Sequence, residues 1–373
     1  MRPSIALVAP SLDTFGGQAI QARALAGALR RDGYSVTFVP INPRFPKSAQ
    51  WLRRYPYLRT VLNEALYVSS LREIRRADVV QVFSASYWSF LLAPVPAILA
   101  AKLLGKPVIL HYHSGEASDH LIRWRRVIAP FLRSVDEIVV PSSYLQGVFA
   151  HHGHRARVIH NVIDTSQFHY REREPLRPWL LSVRNLEPHY RVDHTIAAFA
   201  RLKQAFPAAT LTIAGQGSEE QKLRHLVSQL GLSGVEFIGR VEPAALPAIY
   251  DAAHVFVNSS VVDNQPVSIL EAFASGLPVI STPIGDIPAM LREGEAGLLV
   301  DPDDPVAMAE AVTRLLSERD LSLGIARRAR QGIEPYTWPR VREEWSALYD
   351  EVLTAATAGQ RDEVPARSFP SHV

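Results

Sequence analysis

The sequence predicts an α/β protein made of two Rossmann-like, doubly wound domains facing a cleft. Three observations point there. Short, β-branched, apolar runs recur six times in each half of the chain without polar alternation, as parallel strands covered on both faces do. Helical stretches alternate with them. Twelve strands exceed what one open sheet usually carries, and 373 residues suit about two domains.

In the first half the expected strands are Ile5–Ala9, Ser35–Val39, Val79–Phe83, Pro107–His111, Glu137–Val140 and Arg157–His160. Helices are expected at Ala19–Arg30 and Phe90–Leu104, with Gly33 and Gly105 as stop signals. In the second half the strands are Trp179–Val183, Ala209–Ala214, Val235–Ile238, Val255–Asn258, Pro278–Ser281 and Gly297–Val300. The helices there are Val192–Ala205, Glu219–Leu230, Val267–Ala274 and Pro305–Leu316. Thr165–Pro178, charged and poor in apolar residues, reads as the linker. The domains are therefore drawn at 1–165 and 166–337, with a small, polar, mobile tail over 354–373.

Composition removes several classes. Hydrophobic residues make up 47% and charged residues 21%, an ordinary globular balance. The absence of cysteine excludes a disulfide scaffold, a thiolate zinc site and a cysteine nucleophile. The first ten residues read as a strand rather than a signal peptide. The longest apolar stretch, Phe90–Ala101, holds Pro94 and Pro96 and falls short of the ~20 residues a spanning helix needs. The net charge of +3 hides an asymmetry, with residues 1–165 at +10 and residues 166–373 at −7. Only the first half should attract an anionic surface.

Open α/β sheets bind ligands outside the carboxyl ends of their strands, so chemistry is sought in strand-to-helix loops. Gly16 and Gly17 precede a helix and would let backbone N–H groups approach an anion, unless they form a plain turn. His113, on the loop after the fourth strand, would hydrogen-bond a sugar hydroxyl or serve structure alone. Arg184 ends the first strand of the second half, and its planar fork suits phosphate, the other reading being an ion pair with a surface carboxylate. Gly215 and Gly217 form another glycine-bearing junction able to contact an anion or nucleotide. The longest signal spans Asp263 to Thr282. There Asn264 suits an N-cap, Pro266 the first turn, and the free N–H groups near Val267, Ser268 and Ile269 the positive end of a helix. Asp263 and Glu271 are acceptors suited to sugar hydroxyls such as a ribose diol. His151, His152, His154 and His160 have no metal-ligand spacing, and no metal site is expected.

Asp263-x7-Glu271 followed by Ala272, Gly276, Pro278 and Val279 resembles the Glu-x7-Glu pattern of the retaining family 4 glycosyltransferases of the GT-B fold. The Gly16–Gly17 loop, His113, Arg184, Gly215-x-Gly217, Phe237-Ile-Gly239 and Gly285–Asp286 stand in the family's order. The resemblance implies that Arg184 and the amides near Ser268 and Ile269 hold a donor diphosphate, and that Glu271 holds the ribose. Asp263 and the backbone of Asn264 and Gln265 would contact the transferred sugar, and His113 would reach it from the opposite domain. Gly16 and Gly17 would approach the phosphates or the acceptor, and Gly239–Val241 would border the base. The family's last helix, here about 338–353, would cross back to the first domain. Three positions depart from the family: Asp263 replaces its first Glu, Val183 its Gly before the Arg, and Tyr190 its phosphate-binding Lys. Arg191 or His189 would then have to supply the missing charge.

The implied activity is transfer of a sugar from a nucleotide-diphosphate sugar, UDP or GDP, to a hydroxyl with retention of configuration and no metal or other cofactor. The acceptor would be a glycan, a lipid-linked molecule or a small molecule. Two alternatives stay open: a non-catalytic subunit of the same fold, which would show no turnover, and a nucleotide-sugar epimerase, which would act without an acceptor. In the basic half, Arg44, Lys47, Arg53, Arg54 and Arg59 lie among Trp51, Tyr55 and Tyr57. Arg123, Arg125, Arg126 and Arg133 lie beside Trp124. Such segments suit an anionic membrane surface or a solvated face. The expected location is cytoplasmic, with attachment at the inner face of a membrane left open as an alternative. Nucleic-acid binding is not expected, since no recognition motif accompanies the charge.

Overall fold

The structure is a computed structural model that describes residues 2–12, 16–84 and 86–362. The first six strands, β1 (Ser4–Ala9), β2 (Ser35–Pro40), β3 (Val79–Ser84), β4 (Val108–Tyr112), β5 (Glu137–Val140) and β6 (Arg157–Val158), form one parallel sheet in the order β2-β1-β3-β4-β5-β6. The next six, β7 (Trp179–Val183), β8 (Thr210–Ala214), β9 (Val235–Gly239), β10 (Val255–Asn258), β11 (Val279–Ser281) and β12 (Leu298–Leu299), form a second parallel sheet, β12-β11-β10-β7-β8-β9. Each expected strand lies within about a residue or two of its sequence bounds.

The helices of the first unit are α1 (Gly17–Arg31), α2 (Pro56–Ser70), α3 (Trp88–Leu92), α4 (Pro94–Leu103), α5 (Ala117–Arg123), α6 (Arg125–Ser134) and α7 (Ser143–His151). Those of the second are α8 (Val192–Ala205), α9 (Glu220–Gln229), α10 (Leu246–Ala252), α11 (Val267–Ser275), α12 (Ile287–Met290), α13 (Pro305–Ser317) and α14 (Arg319–Gln331). A last helix, α15, spans Trp338–Asp362. The single helix expected over Phe90–Leu104 is two, because Pro94 starts a new helix and cannot donate into the old one. The tail expected to be mobile from 354 is helical as far as Asp362, and 363–373 lie outside the described residues. No helix among the described residues is long and apolar enough to cross a membrane.

Each sheet is buried on both faces, which is why its strands lack alternation. In the first, one face packs Val80, Val82, Leu110 and Phe149, and the other packs Ile5, Leu7, Leu25 and Ile109. The second face also holds Val341, Trp345, Leu348 and Tyr349 of α15. The chain therefore returns to its first unit after building its second. The crossing is fixed where Ile163 N–H donates to Tyr336 O at 2.9 Å. The Thr165–Pro178 segment is not a free tether. Buried Arg173 within it donates to the carbonyls of Tyr250 and Ala253 at 2.9 and 3.0 Å, and burial draws its pKa down to about 10.

Trp345 stacks on Tyr349 at 5.6 Å and meets His111 edge-on at 5.1 Å, fully buried. Trp345→Ala is expected to destabilise the first unit by about 3–5 kcal/mol. A lower urea midpoint monitored in that unit checks it, and an unchanged midpoint would show that α15 does not support the sheet.

Candidate active site

In the first sheet the strand order reverses at β1, between β2 and β3, and in the second at β7, between β8 and β10. Loops leaving the carboxyl ends at such a reversal part to opposite faces and leave a crevice. The loops after β1 and β4 meet those after β7, β8, β9 and β10 around a cavity of about 380 Å3. Gly16, Gly17, His113, Arg184, Gly215, Val241, Asp263, Asn264, Gln265, Val267, Ser268 and Glu271 all line it.

Arg184 and Asp263 stand on the two loops that flank the β7–β10 switch. Their Nη2 and Oδ2 atoms are 2.7 Å apart, with only 10% and 12% of the side chains exposed. The contact is an ion pair rather than a well-aligned hydrogen bond, since neither atom meets bonding geometry. The Arg184 Nε donates to Asn258 Oδ1 at 2.8 Å, and Asn258 in turn donates to Ser281 Oγ at 2.8 Å. Beneath the guanidinium lies the Tyr190 ring, 5.3 Å from its carbon. Burial pushes the Tyr190 phenol above its ordinary pKa. Tyr190 thus supports Arg184 through its ring, and it brings no charge of its own.

The Asp263 backbone is enclosed by two glycines. A Cβ on Gly115, from the first unit, would lie 2.9 Å from Asp263 O, and one on Gly285, at φ +62°, would lie 2.4 Å from it. Any other residue at either place would displace the loop.

α11 starts at Val267, and Pro266 occupies its cap position. The N–H groups of Val267 and Ser268 therefore have no partner within the helix, and Ser268 Oγ is buried without one. One turn further, Glu271 is buried against Tyr250, whose hydroxyl donates to Oε2 at 2.7 Å. Burial raises the Glu271 carboxyl to about 7, against the opposing pull of the Tyr250 hydrogen bond and of Arg184. Across the cavity, His113 stacks on Phe83 at 5.1 Å and its Nε2 has no protein partner. Burial lowers its pKa to about 3, so the ring is neutral near pH 7.

Several expected roles change. Arg191 does not line the cavity: its guanidinium is engaged by Asp303 and His194, so it cannot stand in for the family's Lys. Asn264 is not the helix cap, because the helix begins three residues later, at Val267, with Pro266 as its cap; the Asn264 Oδ1 accepts from Ser142 Oγ at 2.5 Å. The Gln265 side chain turns to the other unit, accepting from Asn161 N–H at 2.9 Å and donating to Pro141 O at 2.6 Å. The Ile269 N–H is spent on Pro266 O at 3.1 Å, and its side chain lies in the core. The Gly215 N–H is spent on Gly239 O at 2.8 Å. Gly215 and Gly217 are glycines for packing: their Cβ atoms would lie 1.8 Å from Arg184 O and 2.2 Å from Leu186 O. Gly217 does not reach the cavity. Sequence reasoning passed over Asn258, Tyr250 and Gly115. Gly115, one residue beyond His113-Ser114 on a strand-end loop, carried a signal that could have been read.

Among the described residues, no three His, Asp or Glu side chains come together as a metal set.

Known proteins place this geometry in context. The profile of "Glycosyl transferases group 1" matches residues 167–332, and that of "Glycosyltransferase Family 4" matches residues 15–167. A D-inositol 3-phosphate glycosyltransferase of Corynebacterium urealyticum is 34% identical over 181 residues, 46% of this chain and 43% of that protein. A glycogen synthase of Mycobacterium tuberculosis is 28% identical over 317 residues, 80% of this chain and 73% of that one. The match thus spans less than half the length of the first of these relatives. HepE of Anabaena, solved in complex with UDP and glucose, superposes with a TM-score of 0.73 at 17% identity over 94% of this chain and 100% of that one. Sucrose-phosphate synthase of Thermosynechococcus elongatus gives 0.76 at 20% identity over 95% and 100%. The fold is GT-B.

Glu271 makes stability depend on pH with a definite sign. Its folded pKa stands above its ordinary value, so the stability it lends is complete below about pH 4.5 and is lost as pH rises through about 7. Glu271→Gln cannot ionise and escapes that loss. The unfolding free energy of Glu271→Gln relative to the parent, read from urea titrations, should rise between these pH values and level off above, on the order of 3 kcal/mol in all. A difference independent of pH would show that the carboxyl is not held near neutrality.

Proposed function

The chain belongs to the glycosyl transferases of group 1, family 4, and from that premise we propose that it moves a sugar from a nucleotide-diphosphate sugar to a hydroxyl acceptor with retention of configuration. One observation carries the reading. A single cavity brings together a buried guanidinium at Arg184, the unpaired N–H groups of Val267 and Ser268 at a helix N-terminus, and the Glu271 carboxyl one turn further. The first two suit a diphosphate, and the third suits a ribose diol. HepE, of the same fold, was solved with UDP and glucose, which supports a nucleotide sugar as the donor.

In this reading the bond between the anomeric carbon and the β-phosphate oxygen breaks, and negative charge grows on the leaving phosphate. Arg184 and the end of α11 stabilise that charge from fixed positions, where the protein need not reorganise, and no metal is required of the step. The acceptor oxygen bonds to the anomeric carbon from the face the phosphate leaves, and its proton passes to the departing phosphate oxygen. No protein base is assigned. His113, neutral and facing the cavity from the first unit, is suited to hydrogen-bond the transferred sugar. Asp263 accepts from its hydroxyls.

Tyr190 favours a second reading, a nucleotide-binding subunit without turnover, because the family's Lys charge is missing and Arg191 is committed elsewhere. Donor binding without release of sugar would select it.

Calorimetric titration with UDP and with GDP, without added metal, should show saturable binding of one of them. Arg184→Ala should weaken that diphosphate by about 10–100-fold, from the ~1.5–3 kcal/mol of a charged hydrogen bond, and leave the nucleoside almost unaffected. Equal losses for both would reject its phosphate role. Glu271→Ala should weaken both nucleotide and nucleoside and abolish transfer. Turnover at the parent rate would overturn the site.

A further inference from the structure

We propose that Gln81 and His111, neither of which lines the cavity, are positioning residues that decide which ring nitrogen of His113 carries a proton. β3 and β4 lie side by side, with Phe83 in register with His111. Residues two apart on a strand share a face, so Gln81, Phe83 and His111 stand together under α15, and His113 follows just past the strand's end. Gln81 and His111 are both buried. The His111 and His113 ring centres are 4.1 Å apart, tilted by 47°, and both rings rest on Phe83, at 4.7 and 5.1 Å.

The hydrogen bonds beneath them run in one direction. Tyr349 of α15 donates its hydroxyl proton to Gln81 Oε1 at 2.7 Å. That turns Gln81 Nε2 to His111 Nδ1, 3.1 Å away, and an amide nitrogen only donates. His111 Nδ1 therefore accepts, and in a neutral imidazole the one proton then sits on Nε2. The ring is neutral, because burial, and after it the neighbouring His113, holds its pKa well below the ordinary value. The two nitrogens of an imidazole point in roughly opposite directions. Nδ1 is turned back toward Gln81, whose register partner is Ile109, so the Nε2–H faces the carboxyl end of the sheet, where His113 lies. That Nε2 is buried without a protein partner, and so is the Nε2 of His113.

The consequence reaches the cavity. Burial lowers the His113 pKa to about 3, so this ring too is neutral and holds one proton. A proton on its buried Nε2 would set two N–H groups against each other away from water, where such a conflict is costly. The proton therefore belongs on Nδ1, the ring nitrogen that is open to the cavity His113 lines. His113 is thereby held to present an N–H rather than a lone pair to what occupies the cavity, whereas a neutral imidazole without such a neighbour is free to do either. In the transferase reading, on which this last step rests, His113 donates to a sugar oxygen while Asp263 accepts from a sugar hydroxyl, so the two units read opposite halves of the sugar's hydrogen-bonding pattern.

The test is long-range proton–nitrogen correlation spectroscopy of the full chain with isotope-labelled histidine, which tells an Nε2–H ring from an Nδ1–H ring. His111→Asn and His113→Phe assign the two sets of signals. The parent should carry its proton on Nε2 at His111 and on Nδ1 at His113. Gln81→Glu places an acceptor beside His111 Nδ1, so His111 should move its proton to Nδ1 and His113 its own to Nε2. Gln81→Met breaks the relay without burying a charge and should leave both rings as mixtures, which serves where Gln81→Glu does not fold. A cooperative urea transition shows that each variant folds. Gln81→Met should also weaken a nucleotide sugar by about two- to tenfold, the worth of one neutral hydrogen bond, and leave the bare nucleotide at its parental affinity. A proton on Nε2 of His113 in the parent, or a change at His111 that leaves His113 as it was, overturns the proposal. A parental ratio of the two affinities in Gln81→Met overturns the positioning role. The expected tautomers without any nucleotide binding would leave the relay standing and overturn the transferase reading instead.

Discussion

The geometry of the cleft depends on the carbonyl of Asp263 lying where no side chain can be. Gly115 from the first unit and Gly285 from the second both approach it more closely than a Cβ would allow. The two halves therefore meet backbone to backbone at the loop after β10. With its main chain held there, Asp263 meets Arg184 across the switch point of the second sheet, and Arg184 is held in turn by Asn258 and the Tyr190 ring. Contact between the halves and placement of the charged pair are thus one constraint, and a methyl group at either glycine would disturb both.

The protein's positive excess is not used inside the cavity. The Arg184 guanidinium there is already matched by Asp263, and Glu271 adds a carboxyl whose pKa burial raises to about 7. A Lys at position 190 would have left a net cation; Tyr190 leaves an aromatic support. Attraction for an anion in the cavity rests on Arg184 and on fixed backbone dipoles at α11, which are neutral overall and act only at short range. Among the described residues, Arg125, Arg126 and Arg133 of the first unit have no ion pair and stand outside the cavity.

Much of this was legible in the sequence because burial on both faces leaves a plain mark. All twelve strands are apolar runs, and the Asp263–Glu271 segment was found at the helix it begins. Helices such as α2, α5 and α6 were not placed, since Pro56 and Pro130 read as breakers and α5 is only seven residues long. In the site, the residues that came through were those whose chemistry is their own: Arg184, His113 and Glu271 all line the cavity. What stayed illegible were the partners of amide groups, which lie far away in sequence. Nothing near Gly215 states that its N–H goes to Gly239, and nothing near Gln265 states that its amide serves Asn161, 104 residues earlier. Arg191 failed for the same reason, since Asp303 is 112 residues distant.

Those same long-range amides hold the halves in register. Beside the glycine contact, the seam between them is polar. Ser142 donates to Asn264, Asn161 is bonded twice to Gln265, and Gln265 reaches Pro141 and Asp286. Ser143 donates to Asp286 at 3.2 Å, and burial raises the Asp286 carboxyl above its ordinary range. An apolar seam would resist opening in proportion to the area it exposed, whereas these groups exchange protein partners for water at a small net cost, about 1 kcal/mol each. Their directionality fixes which partner each group returns to. Only the backbone-to-backbone contact at Asp263 and the docking of α15 on the first sheet lack that easy exchange.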